Sequence, residues 1–76
     1  MTDIDFINNI YYKYLNRSCW QSDIARQTGL LDTEVSYILN SLGFYRNKRI
    51  RIVQPEVVLK DPYIKRILDR VNKNNS

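Results

Sequence analysis

The chain contains no histidine, and that absence removes several kinds of chemistry at once. There is no imidazole for general acid–base work, no Ser-His or Cys-His nucleophile pair, and no nitrogen ligand of the kind most zinc sites use. Cysteine occurs once, at Cys19, so no intrachain disulfide can form. A free cysteine next to Trp20 is expected to be a small buried apolar group. Glycine occurs only at Gly29 and Gly43, too sparse for a phosphate-cradling loop. No apolar run approaches the ~20 residues of a membrane span. The opening stretch, MTDIDF, is acidic and leads into no signal-peptide core. These absences lead to the expectation of a cytoplasmic protein that is not an enzyme, with no cofactor, metal, small-molecule ligand or membrane partner.

What is present fits one small domain. At 76 residues the chain buries roughly 60% of the surface its unfolded form exposes, enough for one modest core. The apolar share of 43% and charged share of 26% are ordinary for a folded protein. The charge is unevenly placed. Residues 1–43 carry Lys13, Arg17 and Arg26 against Asp3, Asp5, Asp23, Asp32 and Glu34, a net of −2. Residues 44–76 carry nine Lys or Arg against Glu56, Asp61 and Asp69, a net of +6. A basic half on a small domain points to a polyanionic partner, nucleic acid first and an acidic membrane second.

The pattern predicts four helices. The first covers 3–16, with Thr2 as N-cap, acidic residues in its first turn, and Ile7, Ile10, Tyr11, Tyr14 and Leu15 at helical spacing. Ile4 and Phe6 widen that stripe, which suits either deep burial or contact with a partner chain. Ser18 to Trp20 reads as a brief strand. A second helix opens at Gln21 or Ser22 and ends at Thr28, with Gly29 in the left-handed C′ position and Leu30 and Leu31 buried in the turn. Asp32 is expected to cap a third helix over 33–42, stopped by Gly43. Arg49 to Ile52 alternate with the strand period, and Arg46-Asn47-Lys48 reads as the hairpin turn before them. QPEVVLK reads as a connection. Asp61-Pro62 opens the last helix, whose Ile64, Ile67, Leu68 and Val71 form one apolar stripe. The tail is expected to fray from about 72.

This gives a mainly α chain with a small β-hairpin, an α+β domain of order α-β-α-α-β-β-α over residues 1–76. Ile24, Ala25, Gly29, Leu30, Val35 and Ile38 stand in the register of a helix-turn-helix, where two helices cross at about 90–120° through a short turn. With a strand before that unit and a basic hairpin after it, the chain resembles winged helix-turn-helix DNA-binding regulators over nearly its full length. Its small size and Tyr- and Asn-rich composition resemble the members of that family encoded by archaeal viruses and plasmids.

The resemblance implies sequence-specific binding of double-stranded DNA and regulation of transcription. The helix over 33–42 would enter the major groove, and the wing over 45–51 would lie on the backbone or in the minor groove. Thr33, Ser36, Tyr37 and Asn40 are the base-contact candidates; Arg46, Asn47, Lys48, Arg49 and Arg51 are the backbone candidates. One departure from the usual pattern is that the outer face of the third helix has no Arg or Lys and carries Glu34, which could accept from cytosine or serve the helix dipole. Tyr37 could equally cap the core, Arg49 and Arg51 could form a solvated strand face, and Arg66, Arg70 and Lys73 read as a solvated face of the last helix. The expected assembly is a monomer in solution, with pairing on DNA left open. The rival readings are a winged-helix protein–protein interaction module without nucleic-acid binding and a membrane-surface module using the basic last helix; the latter's apolar stripe is one face wide and is needed by the core.

Overall fold

A computed structural model describes residues 2–16, 19–45 and 48–74. Its helices and strands follow from local signals that are almost all visible in the chain. Helix α1 (Asp3–Leu15) starts at a reciprocal cap: the Thr2 hydroxyl accepts from the Asp5 N–H at 3.3 Å, and the Asp5 carboxylate accepts from the Thr2 N–H at 3.4 Å. Helix α2 (Gln21–Thr28) starts where the Asp23 carboxylate accepts from the Trp20 N–H at 3.2 Å. It stops at Gly29, whose φ of 76° turns the chain left-handed while its N–H reaches the Ala25 carbonyl at 2.9 Å. A side chain at Gly29 would meet nothing within 4 Å, so the backbone angle alone asks for glycine there.

Helix α3 (Asp32–Ser41) begins one residue earlier than the sequence suggests. Leu31, not Asp32, is the N-cap, because the Glu34 carboxylate accepts the Leu31 N–H at 2.8 Å and closes the first turn. Leu31 is therefore not buried with Leu30; it is 61% exposed.

A two-stranded antiparallel hairpin follows, β1 (Phe44–Tyr45) and β2 (Lys48–Arg49), with Phe44 opposite Arg49 and Tyr45 opposite Lys48. The predicted turn residues Arg46 and Asn47 lie outside the described residues. The strand expected over Arg49 to Ile52 stops at Arg49. Among the described residues no third strand flanks β2, so the alternating Ile50 and Ile52 find nothing to pack against and stay exposed. The chain is drawn back instead by the Gly43 carbonyl, which accepts from the Ile50 N–H at 2.8 Å and the Arg51 N–H at 3.3 Å.

Two elements differ in kind from the expectation. Cys19 and Trp20 are not in a strand, while Ser18 lies outside the described residues. The stretch read as a connection contains a short helix α4 (Pro55–Val58), with Pro55 at its first position and Val58 buried. The order among the described residues is thus α-α-α-β-β-α-α. The last helix, α5 (Pro62–Asn74), begins where Asp61 accepts the Tyr63 N–H at 2.8 Å. It runs to Asn74, and the Asn72 amide donates to the Asp3 carboxylate at 3.1 Å.

The core draws one stripe from each long helix: Ile7 and Ile10 from α1, Ile24 and Ala25 from α2, Val35, Ile38 and Leu39 from α3, and Ile64, Ile67, Leu68 and Val71 from α5. Phe44 carries the hairpin into it, edge-on to Tyr14 with ring centres 5.1 Å apart and tilted to Tyr11 at 5.7 Å. Ile4 and Phe6, the widening of the α1 stripe, are half-buried. Cys19 is half-buried too, its sulfur 3.6 Å from the Gln27 amide nitrogen, which donates to it. Gln27 also accepts from Lys13 at 2.6 Å, tying the end of α1 to α2.

Candidate nucleic-acid interface

The apolar edge of α3, made of Val35, Ile38 and Leu39, is buried, and this edge decides which residues face outward. Of the four base-contact candidates, Thr33 and Asn40 are exposed and Ser36 is half-buried. Tyr37 is 39% exposed but already engaged. Its hydroxyl donates to the Asp61 carboxylate at 2.7 Å, and its ring lies against Tyr63 with centres 4.6 Å apart. The hydrogen bond from Tyr37 holds the Asp61 carboxyl below its ordinary pKa, and the same bond raises that of the Tyr37 phenol. Tyr37 thus joins α3 to the start of α5.

Glu34 departs most from the expectation of an outward-facing residue. It is buried to 6% exposure, and its carboxylate is paired with the Arg70 guanidinium while also accepting the Leu31 N–H. Burial of a carboxylate demands such partners, and here two come from separate elements. Arg70 is paired with Glu34 while its side chain stays 45% exposed, and Arg66 is exposed as well. At the same end of α3 the Gln21 amide donates to the Asp32 carbonyl at 3.0 Å, joining the starts of α2 and α3. Sequence periodicity could not separate Glu34 from Thr33; the only hint was its position three residues after Leu31, the spacing of a reciprocal cap.

The wing candidates divide. Lys48, Arg49 and Arg51 are exposed, and Arg46 and Asn47 lie outside the described residues. The Arg49 guanidinium carbon sits 5.1 Å from the centre of the Tyr11 ring, a cation–π contact that leans this side chain towards α1. Arg51 is held at the C-terminal end of α3 by its backbone bond to Gly43. A Cβ at Gly43, where φ is 103°, would lie 2.0 Å from the Arg51 carbonyl oxygen, so this approach needs glycine for space as well as angle.

A shallow cleft of about 260 Å³ opens between α1, the segment after β2, and α4; Tyr11, Tyr12, Arg49, Ile52 and Pro55 are among its walls. Among the described residues no helix is long and apolar enough to cross a membrane. The chain matches no family model, no curated protein and no solved structure among those compared.

Proposed function

We propose that the chain is a sequence-specific double-stranded DNA-binding protein, a transcription regulator of the winged helix-turn-helix kind. One observation carries the reading. An α2–turn–α3 unit is packed on one edge and leaves Thr33 and Asn40 exposed, and a basic segment is anchored directly at the end of the same helix. In this reading α3 lies in the major groove. Lys48, Arg49 and Arg51 meet phosphates, which fix register and supply affinity that does not depend on sequence. The lack of cations on α3 itself fits this division of labour.

The test is selection of bound duplexes from a random pool, followed by footprinting of the winner and gel retardation at moderate salt. The expected result is one enriched sequence that out-competes unrelated duplex. If no duplex is retarded even at low salt, the DNA reading falls. A second reading, a winged-helix protein–protein interaction module, is favoured by the cleft beside α1, where Tyr12 and Ile52 are both large, apolar and exposed. It becomes the better reading in that event.

A further inference from the structure

The exposed surface of α5 has two flanks, and its contacts tell them apart. The Asn72 amide donates to the Asp3 carboxylate, which sets one flank beside α1. Lys65 and Asp69 stand on that flank, two turns and one turn before Asn72. The other flank lies beside α3. Tyr63 packs its ring on Tyr37 with centres 4.6 Å apart, and Arg70 pairs with Glu34. Arg66 stands on the outer side of this flank, one turn after Tyr63 and one turn before Arg70. It is exposed, and among the described residues no ion pair holds it.

This flank continues the outer face of α3. Tyr37 is one helical turn from Thr33 and from Asn40, so the Tyr63 ring against it adjoins the surface that carries both base-contact candidates. Tyr63 is 45% exposed. Asp61, the carboxylate at the start of α5, is half-buried and engaged by the Tyr37 hydroxyl and the Tyr63 N–H.

A helix with its side chains is about 10–12 Å across, and the major groove is about 12 Å wide. A groove that takes α3 therefore has no room for α5. Outward groups on the flank beside α3 meet the wall of the groove instead, and that wall is phosphate. The arginine guanidinium presents a fork of donors that matches a phosphate, and a tyrosine hydroxyl can donate to one as well.

We propose that Tyr63 and Arg66 form a second phosphate-binding site, beside α3 and separate from the wing. This rests on the DNA-binding reading above and adds to it a contact surface on α5. Arg70 is outside the site, because Glu34 holds its guanidinium. Charge alone does not single out Arg66 from Lys65, its neighbour in the chain; the two contacts between α5 and α3 do.

The experiment uses the full chain and the duplex that wins the random selection, with affinity measured across a salt series. Arg66→Ala and Lys65→Ala remove the same charge from the same helix, both at exposed positions. Arg66→Ala is expected to flatten the plot of log affinity against log salt by about 0.9. Lys65→Ala is expected to leave the slope as in wild type, and Arg66→Lys is expected to restore it. Tyr63→Phe keeps the ring on Tyr37 and removes the donor; it is expected to weaken binding about 2- to 10-fold with the slope unchanged. Phosphate ethylation interference locates the contacts. The phosphates silenced in Arg66→Ala are expected to differ from those silenced in Lys48→Ala with Arg49→Ala.

Two results overturn the proposal while leaving DNA binding in place. One is the same slope change, zero included, in Arg66→Ala and Lys65→Ala. The other is an Arg66→Ala variant that silences the same phosphates as the wing variant. Wild-type affinity in Tyr63→Phe removes the tyrosine from the site. Retardation of no duplex by wild type removes the DNA reading and this inference with it.

Discussion

The two ends of α3 are held in different ways. At its start, the Glu34 carboxylate gathers the Leu31 N–H and Arg70, and the Gln21 amide reaches the Asp32 carbonyl, so α2, α3 and α5 meet in one network. At its end, Gly43 turns the chain into a hairpin of two-residue strands, beyond which Ile50 and Ile52 stand exposed. The first end is fixed by a buried carboxylate and its polar partners, the second by one close backbone approach. A helix that reads base edges needs its angle set to a fraction of an ångström, whereas a cation near a phosphate acts through distance and tolerates a looser support. The difference between the ends matches the division between reading and anchoring proposed for them.

The largest break in this comparison should come at the second end. Gly43→Ala drives a Cβ onto the Arg51 carbonyl at a positive φ, whereas Gly29→Ala meets only the angle. Thermal melts should show a loss of about 1 kcal/mol at Gly29 and a clearly larger one, more than about 2 kcal/mol, at Gly43. Equal losses would mean that the hairpin does not rest on that close approach.

Next in size is the first end. Arg70→Met should cost about 1–3 kcal/mol in chemical denaturation, since it strands a buried carboxylate; partial exposure of Arg70 keeps the figure below that of a fully buried pair. Adding Glu34→Gln should recover much of the loss, because the stranded charge is then gone. A double variant as unstable as Arg70→Met would point to lost packing of the arginine stem instead.

Removing the cations of the second end should leave stability nearly unchanged and act on binding alone. Lys48→Ala with Arg49→Ala should weaken all duplexes alike, and the plot of log affinity against log salt should flatten by about 0.9 for each phosphate that is no longer neutralised. A flattened slope in Arg70→Met instead would exchange the roles of the two ends.

The smallest effect lies in pH. Asp61 and Asp23 are both held below the ordinary carboxylate range, Asp61 first by the Tyr37 hydrogen bond and Asp23 first by that of Arg26. Their stabilising contribution is present above about pH 4 and lost as pH falls through their lowered values. Tyr37 is raised by its bond to Asp61, so its contribution is present up to about pH 10 and lost as pH climbs through the raised value. Melting temperatures of wild type and Tyr37→Phe should differ slightly near neutrality and converge at both extremes. A constant difference across the range would mean that the hydroxyl bond contributes nothing.

Much of the fold was legible because short-range chemistry sets it. Thr2 with Asp5, Gly29 after Thr28, and Asp61-Pro62 each specify a helix end within a few residues, and the 3.6-residue stripes of α1, α3 and α5 name most of the core. Thr33 and Asn40 were placed on the outer face for the same reason. What sequence could not decide were contacts between distant residues. Whether Glu34 faces solvent depends on Arg70, 36 positions away, and whether Tyr37 is open to a partner depends on Asp61, 24 positions away. Whether Ile50 and Ile52 alternate into a core depends on a neighbouring strand that no local pattern reports. Periodicity along a chain records which side of an element is apolar, but only the packed structure records which polar group meets which. Tertiary packing alone therefore buried Glu34, engaged the Tyr37 hydroxyl with Asp61 and left Leu31 exposed at the start of α3.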